Sequence, residues 1–96
     1  MSADEIITAL RKYKESNQKK YGIKTLGIFG SVSRGQFTKK SDLDVFVELE
    51  TPDIFLLADI KQDIEENLQM SVDIVRIREN MNPLLHKRIS QDGIYV

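Results

Sequence analysis

The chain has 96 residues, of which 41% are hydrophobic and 30% charged, the make-up of a folded globular domain rather than a disordered or fibrous one. A net charge of −1 gives no overall basic field for a duplex nucleic acid, and the lack of cysteine excludes disulfides and thiolate metal sites while fitting a reducing cytoplasm. No apolar run approaches the roughly 20 residues that span a bilayer, so no membrane association is expected, and the acidic start lacks the basic-then-apolar order of a signal peptide.

A single domain over residues 1–96 is expected, with the thin core of a small chain. Ser2-Ala3-Asp4-Glu5 has the spacing of a capping box, and Ile6, Ile7, Leu10 and Tyr13 recur at helical spacing. A helix is predicted from about Asp4 to Lys20, stopped by Gly22. "IKTLGIFG" is short, β-branched and bounded by glycines, which predicts a strand. "DLDVFVELE" alternates: Leu43, Val45, Val47 and Leu49 face one side of a second strand, and Asp42, Asp44, Phe46 and Glu48 the other. About a dozen residues join these strands, room for a helical turn.

Thr51-Pro52 has the form of a helix start, with Thr as N-cap and Pro at the first helical position. Phe55, Leu57, Ile60, Ile64 and Leu68 then recur near helical spacing as far as about Gln69. "SVDIVRI" predicts a third strand, Asn82-Pro83 opens a short helix carrying Leu84, Leu85 and Ile89, and Gly93 ends it before a terminal "IYV". A helix between the second and third strands implies a crossover, so part of the sheet is parallel. The expected fold class is α/β (α+β): a small mixed sheet with helices mainly on one face and the chemistry on the face and edge opposite.

The chemistry is concentrated in "GSVSRGQFTKKSDLDV", residues 30–45. Side chains two apart on a strand point the same way, so Asp42 and Asp44 share a face. Two neighbouring carboxylates repel, which raises the pKa of one unless a cation intervenes. Mg²⁺ suits them: it takes hard oxygen ligands, one or two carboxylates together with substrate phosphates. Two ions are expected, with Mn²⁺ as a substitute, since paired metals can stabilise both the attacking and the leaving oxygen. Asp73 lies in the apolar run Val72-Asp73-Ile74-Val75, where a carboxylate is costly unless paired. If its strand lies beside the second, it reaches the same metals and can orient or deprotonate an attacking hydroxyl. At the other end, Gly30 lets backbone approach a ligand. Ser31 can cap a turn whose free N–H groups bind phosphate, and Arg34 can add charge-assisted hydrogen bonds.

Gly30-Ser31, Arg34-Gly35 and Ser41-Asp42-x-Asp44, with a third acid on a later strand, resemble the signature of the DNA polymerase beta-like nucleotidyltransferases. The form is similar to that of the minimal nucleotidyltransferases (MNT) of prokaryotes, and the likeness runs from about Leu26 to Ile77. Ser33 stands where many relatives have alanine. The resemblance implies a polymerase beta-like palm fold. It implies nucleotide phosphates on Gly30, Ser31 and Arg34, and metals on Asp42, Asp44 and Asp73, which are also the catalytic residues. It implies transfer of AMP from ATP to a hydroxyl, with release of pyrophosphate. Such proteins are commonly the antitoxin of a toxin–antitoxin pair, adenylylating a tyrosine of a HEPN ribonuclease toxin.

Larger members of the superfamily carry a further domain for the acceptor, for which this length leaves no room, so a partner or a second copy of the chain is expected to complete the site. Two other functions fit the same sequence: an antitoxin that acts by contact alone, and a small-molecule transferase of the antibiotic-modifying kind. Intact carboxylates argue against the first, and the missing acceptor domain against the second. Arg34 has an alternative partner in a strand carboxylate. Lys39 and Lys40 are expected to be solvated, as are Lys12, Lys19 and Lys20 on the first helix. His86 is placed on the surface, and Tyr13, Tyr21 and Phe29 in the core.

Overall fold

The computed structural model describes residues 1–38 and 40–96. In chain order these form α1 (Ala3–Tyr21), β1 (Ile23–Phe29), β2 (Leu43–Leu49), α2 (Ile54–Leu68), β3 (Val72–Arg76), α3 (Pro83–Asp92) and β4 (Ile94–Tyr95). The sheet order is β3-β2-β1-β4. β1 runs antiparallel to β2 on one side and to β4 on the other, while β2 and β3 are parallel because α2 carries the chain back across the sheet. The mixed α/β fold expected from the element order is thus present, and "IYV" contributes a two-residue edge strand rather than a tail.

The start and stop of α1 follow local chemistry. The Ser2 hydroxyl accepts from the Glu5 N–H while the Glu5 carboxylate accepts from the Ser2 N–H, and Gly22 ends the helix in the left-handed conformation. α3 begins as its sequence indicates, with the Asn82 side chain accepting from the Leu84 N–H and Pro83 at the first position. α2 corrects the expectation of a Thr51-Pro52 start: its N-cap is Asp53, whose carboxylate accepts from the Phe55 N–H at 2.8 Å. Aspartate is the stronger cap, so the helix starts two residues later.

The two faces of the sheet are covered unequally. Leu26 and Ile28 of β1, Leu43, Val45 and Val47 of β2, and Val72 of β3 pack against Ile6 and Leu10 of α1 and Ile60, Ile64 and Leu68 of α2. Asp63 of α2 ties these helices together, its Oδ2 accepting from the Tyr13 hydroxyl at 2.8 Å and from the Tyr21 hydroxyl at 3.0 Å. Burial, reinforced by that carboxylate, pushes both phenols above their ordinary pKa.

On the other face lie Phe29, Phe46, Met81 and Ile89, with Val75, Ile77 and Leu85 at their margin. α3 packs on this face through Leu85 and Ile89, while the two longer helices take the other, as a sheet covered mainly on one face requires. The alternation of β2 requires this: Phe46 points the same way as Asp44 and needs apolar cover. Its ring lies over Gly27, where a Cβ would strike both the ring and the Ile94 carbonyl. Phe55, grouped with Leu57 and Ile60 by helical spacing, is 77% exposed, and Leu84 of α3 is 68% exposed.

Candidate active site

Three chain segments meet where β1 ends and β2 and β3 begin. The antiparallel register puts Phe29 opposite Asp44, and the parallel register puts Asp44 opposite Asp73. Asp42 lies immediately before β2, exposed, and its charge reaches Asp44. The pairing of β2 with β3 therefore brings Asp73 to Asp42 and Asp44, which the sequence had already placed together. It also revises the reason for singling out Asp73: that residue is exposed on an edge strand, so its apolar neighbours impose no burial cost on it.

Asp44 is half-buried, and its carboxyl is pushed above the ordinary carboxylate range. Burial is the main cause, then the charge of Asp73, with Asp42 adding less; Arg88 and Arg34 oppose the shift. The repulsion expected between Asp42 and Asp44 is thus weaker than that across the strands.

Gly30 follows Phe29 with φ at 78°, and a Cβ on it would run into the Asp44 carboxylate. Only glycine lets the backbone turn so close to that acid. The chain then makes a compact turn: the Arg34 N–H donates to the Gly30 carbonyl, the Gly35 N–H to Val32 and the Gln36 N–H to Ser31. Val32 is fully buried and anchors the turn to the core under α1 and α2. The N–H groups of Ser31, Val32 and Ser33 donate no backbone hydrogen bond among the described residues, as at any helix start. The Ser31 hydroxyl has no partner among the described residues, whereas the Ser33 hydroxyl donates to the Gly30 carbonyl at 2.7 Å. Ser33, not Ser31, therefore braces the turn.

Arg34 is not paired with a strand carboxylate. Its Nη1 donates to Asp92 Oδ2 of α3 at 2.7 Å, and its Nε to Gln36 Oε1 at 3.4 Å. Arg88, one turn before Asp92 on α3, escaped the sequence reading. Its guanidinium lies 5.4 Å from the centre of the Phe29 ring. The only local signal was an arginine beside core residue Ile89; that it meets Phe29 depends on how α3 docks. His86 and Lys40 are exposed, Lys39 lies outside the described residues, and Tyr13, Tyr21 and Phe29 are core.

The acids supply the hard oxygen donors that a divalent cation prefers. Among the described residues no group of three or more such side chains closes into a metal cage. No helix among the described residues is long and apolar enough to cross a membrane.

The chain was compared with known proteins. The profile of the nucleotidyltransferase domain family matches residues 10–96. A Methanocaldococcus jannaschii protein assigned to the protein adenylyltransferases is 40% identical over 93 residues, covering 96% of this chain and 95% of the relative. The protein adenylyltransferase MntA of Thermococcus cleftensis is 26% identical over 97 residues, covering 100% and 97%. A solved structure assigned as a minimal nucleotidyltransferase superposes with a TM-score of 0.78 at 29% identity, over 98% of this chain and 95% of that one. A toxin–antitoxin structure with AMP-PNP matches at TM-score 0.71 and 24% identity, over 99% of this chain and 72% of that one. A Shewanella oneidensis complex of tri-AMPylated HEPN toxin with MNT antitoxin matches at TM-score 0.61 and 22% identity, over 97% and 66%; these last two show a shared fold. Membership of such a family implies divalent metal ions. With the signature residues gathered at one end of a sheet of the matching fold, the chain belongs to the nucleotidyltransferase domain family, as a minimal nucleotidyltransferase homologous to the MntA adenylyltransferases.

Proposed function

We propose that this enzyme transfers AMP from ATP to a tyrosine hydroxyl of a HEPN-type toxin, acting as its antitoxin. The observation that carries this reading is the register of Asp44 opposite Asp73, with the Gly30 turn packed directly on Asp44. A phosphate bound at that turn lies beside the acids. The relatives are protein adenylyltransferases, and one structure of the same fold is a complex with an AMPylated HEPN toxin.

The turn and the acids divide the work. The free Ser31 hydroxyl, the N–H groups of Ser31 to Ser33 and the unspent donors of Arg34 hold phosphate oxygens. Asp42, Asp44 and Asp73 hold the divalent ions, Mg²⁺ by the hardness of the donors. When bound, such ions neutralise charge that develops on the phosphate oxygens and the leaving group. Asp73, exposed at the edge strand, is open to an acceptor brought by a partner protein. Its carboxylate orients the acceptor hydroxyl and takes its proton. The hydroxyl oxygen bonds to the α-phosphorus as the bond from that phosphorus to the β-phosphate oxygen breaks, and pyrophosphate departs.

Asp73→Asn tests the assignment. Loss of a positioned base costs about 10²–10⁴ in rate. The expected variant binds ATP and its partner, but mass analysis finds no AMP on the partner and the variant does not protect a cell from the toxin. Full protection by the variant, with no modified tyrosine from wild type either, would instead establish neutralisation by contact.

A further inference from the structure

The signature accounts for Arg34, yet the structure brings a second guanidinium to the same place. Arg88 lies over the ring of Phe29, the residue immediately before Gly30 and directly opposite Asp44. Phe29 is buried, so the stem and head of Arg88 form part of its cover.

The two also differ in what holds them. Arg34 is engaged by Asp92, four residues after Arg88 and therefore on the same side of α3. The Arg34–Asp92 pair is the one ion pair among the described residues, and Arg88 makes no side-chain hydrogen bond there. A guanidinium resting on an aromatic face is held by the ring quadrupole and by stacking, which leaves its N–H donors unspent. α3 therefore uses one face for two tasks. Asp92 fixes the signature arginine, and Arg88 offers a charged fork beside the acids.

Resting on the proposed function, we propose that Arg88 binds the triphosphate of the nucleotide, as a second phosphate-gripping arginine contributed by α3. The fork suits phosphate oxygens, which take two parallel N–H bonds. A substrate carrying several negative charges also has to approach three aspartates, and a cation over Phe29, the residue opposite Asp44, lowers that barrier.

The experiment is calorimetric titration of wild type, Arg88→Met and Arg88→Lys with ATP and with AMP, each with Mg²⁺, alongside thermal melts. Arg88→Met keeps an unbranched apolar stem over Phe29 and removes the charge. It is expected to weaken ATP binding roughly 10- to 100-fold, the worth of a hydrogen bond to a charged group, and AMP binding less, with little change in melting temperature. Arg88→Lys, which keeps the charge but not the planar fork, is expected to fall between. Equal losses for ATP and AMP, or a melting temperature that falls in step with affinity, would reduce Arg88 to a cover for Phe29. ATP affinity unchanged in Arg88→Met would overturn the inference and leave the proposed function standing. Wild type that binds no ATP would overturn both.

Discussion

The two faces of the sheet are made by the same strands and obey opposite demands. Under α1 and α2 the side chains are Leu, Ile and Val, most of them fully buried, and the two tyrosine hydroxyls there are satisfied by Asp63. Under α3 the same strands carry Phe29 and Phe46 side by side with Asp44 and Asp73. The first face lowers free energy by removing apolar surface from water. The second gives up part of that gain to keep carboxylates close together, one of them half-buried, where a ligand can reach them. α3 is short enough to cover Phe46 without covering Asp73. The comparison teaches that stability and chemistry can be separated within one four-stranded sheet by the two-residue period of its strands.

Removing Asp44 should break the comparison most sharply. Asp44→Asn is expected to slow transfer about a thousandfold or more, the several kcal/mol of charge stabilisation that a held cation supplies. The same change removes a half-buried charge facing Asp73, so in metal-free buffer the variant should melt no lower than wild type. A large loss of melting temperature, with activity per folded molecule retained, would show that Asp44 belongs to the scaffold.

Ile64→Ala probes the other face. Ile64 is fully enclosed between α2 and the sheet, and its truncation should cost about 2–5 kcal/mol of stability in a denaturant melt. ATP affinity of the remaining folded protein should match wild type. Coupled losses would show that the faces are not independent.

The smallest effect belongs to the tyrosine pair. Both phenols are raised above the ordinary value of about 10, so their stabilisation is full below that pH and is lost as pH climbs toward their folded values. Tyr13→Phe with Tyr21→Phe should cost roughly 1–2 kcal/mol at neutral pH. The wild-type and variant stability curves should then converge above about pH 10, where the unfolded chain ionises its tyrosines. Curves that stay parallel through that range would remove Asp63 and its partners as the source.

Much of this was legible in the chain because it depends on near neighbours. The capping box at Ser2 and Glu5, the left-handed stop at Gly22, the Asn82-Pro83 start and the alternation of Leu43 to Leu49 are all set by residues within one turn or one pleat. The same holds for the placing of Gly30, Ser31, Arg34, Asp42 and Asp44 around one turn and one strand. Competition between adjacent local signals was harder to judge, as Thr51 and Asp53 show, since both can cap and only one does. Helical spacing likewise grouped Phe55 with the buried Ile60 and Ile64, although nothing local says where the neighbouring layer ends.

What only the tertiary structure decided are meetings between distant residues. Asp73 stands opposite Asp44 because β3 pairs parallel to β2, and a slip of one residue would have turned it to the other face. Arg34 finds Asp92 across 58 positions of chain, and Arg88 finds Phe29, because α3 folds back over the carboxylate face to cover Phe46. Secondary structure and signature spacing are short-range properties that the order of residues determines directly. The partners of each charge in the site are long-range, and they exist only once burial of Phe29, Phe46 and Ile89 has set where α3 lies.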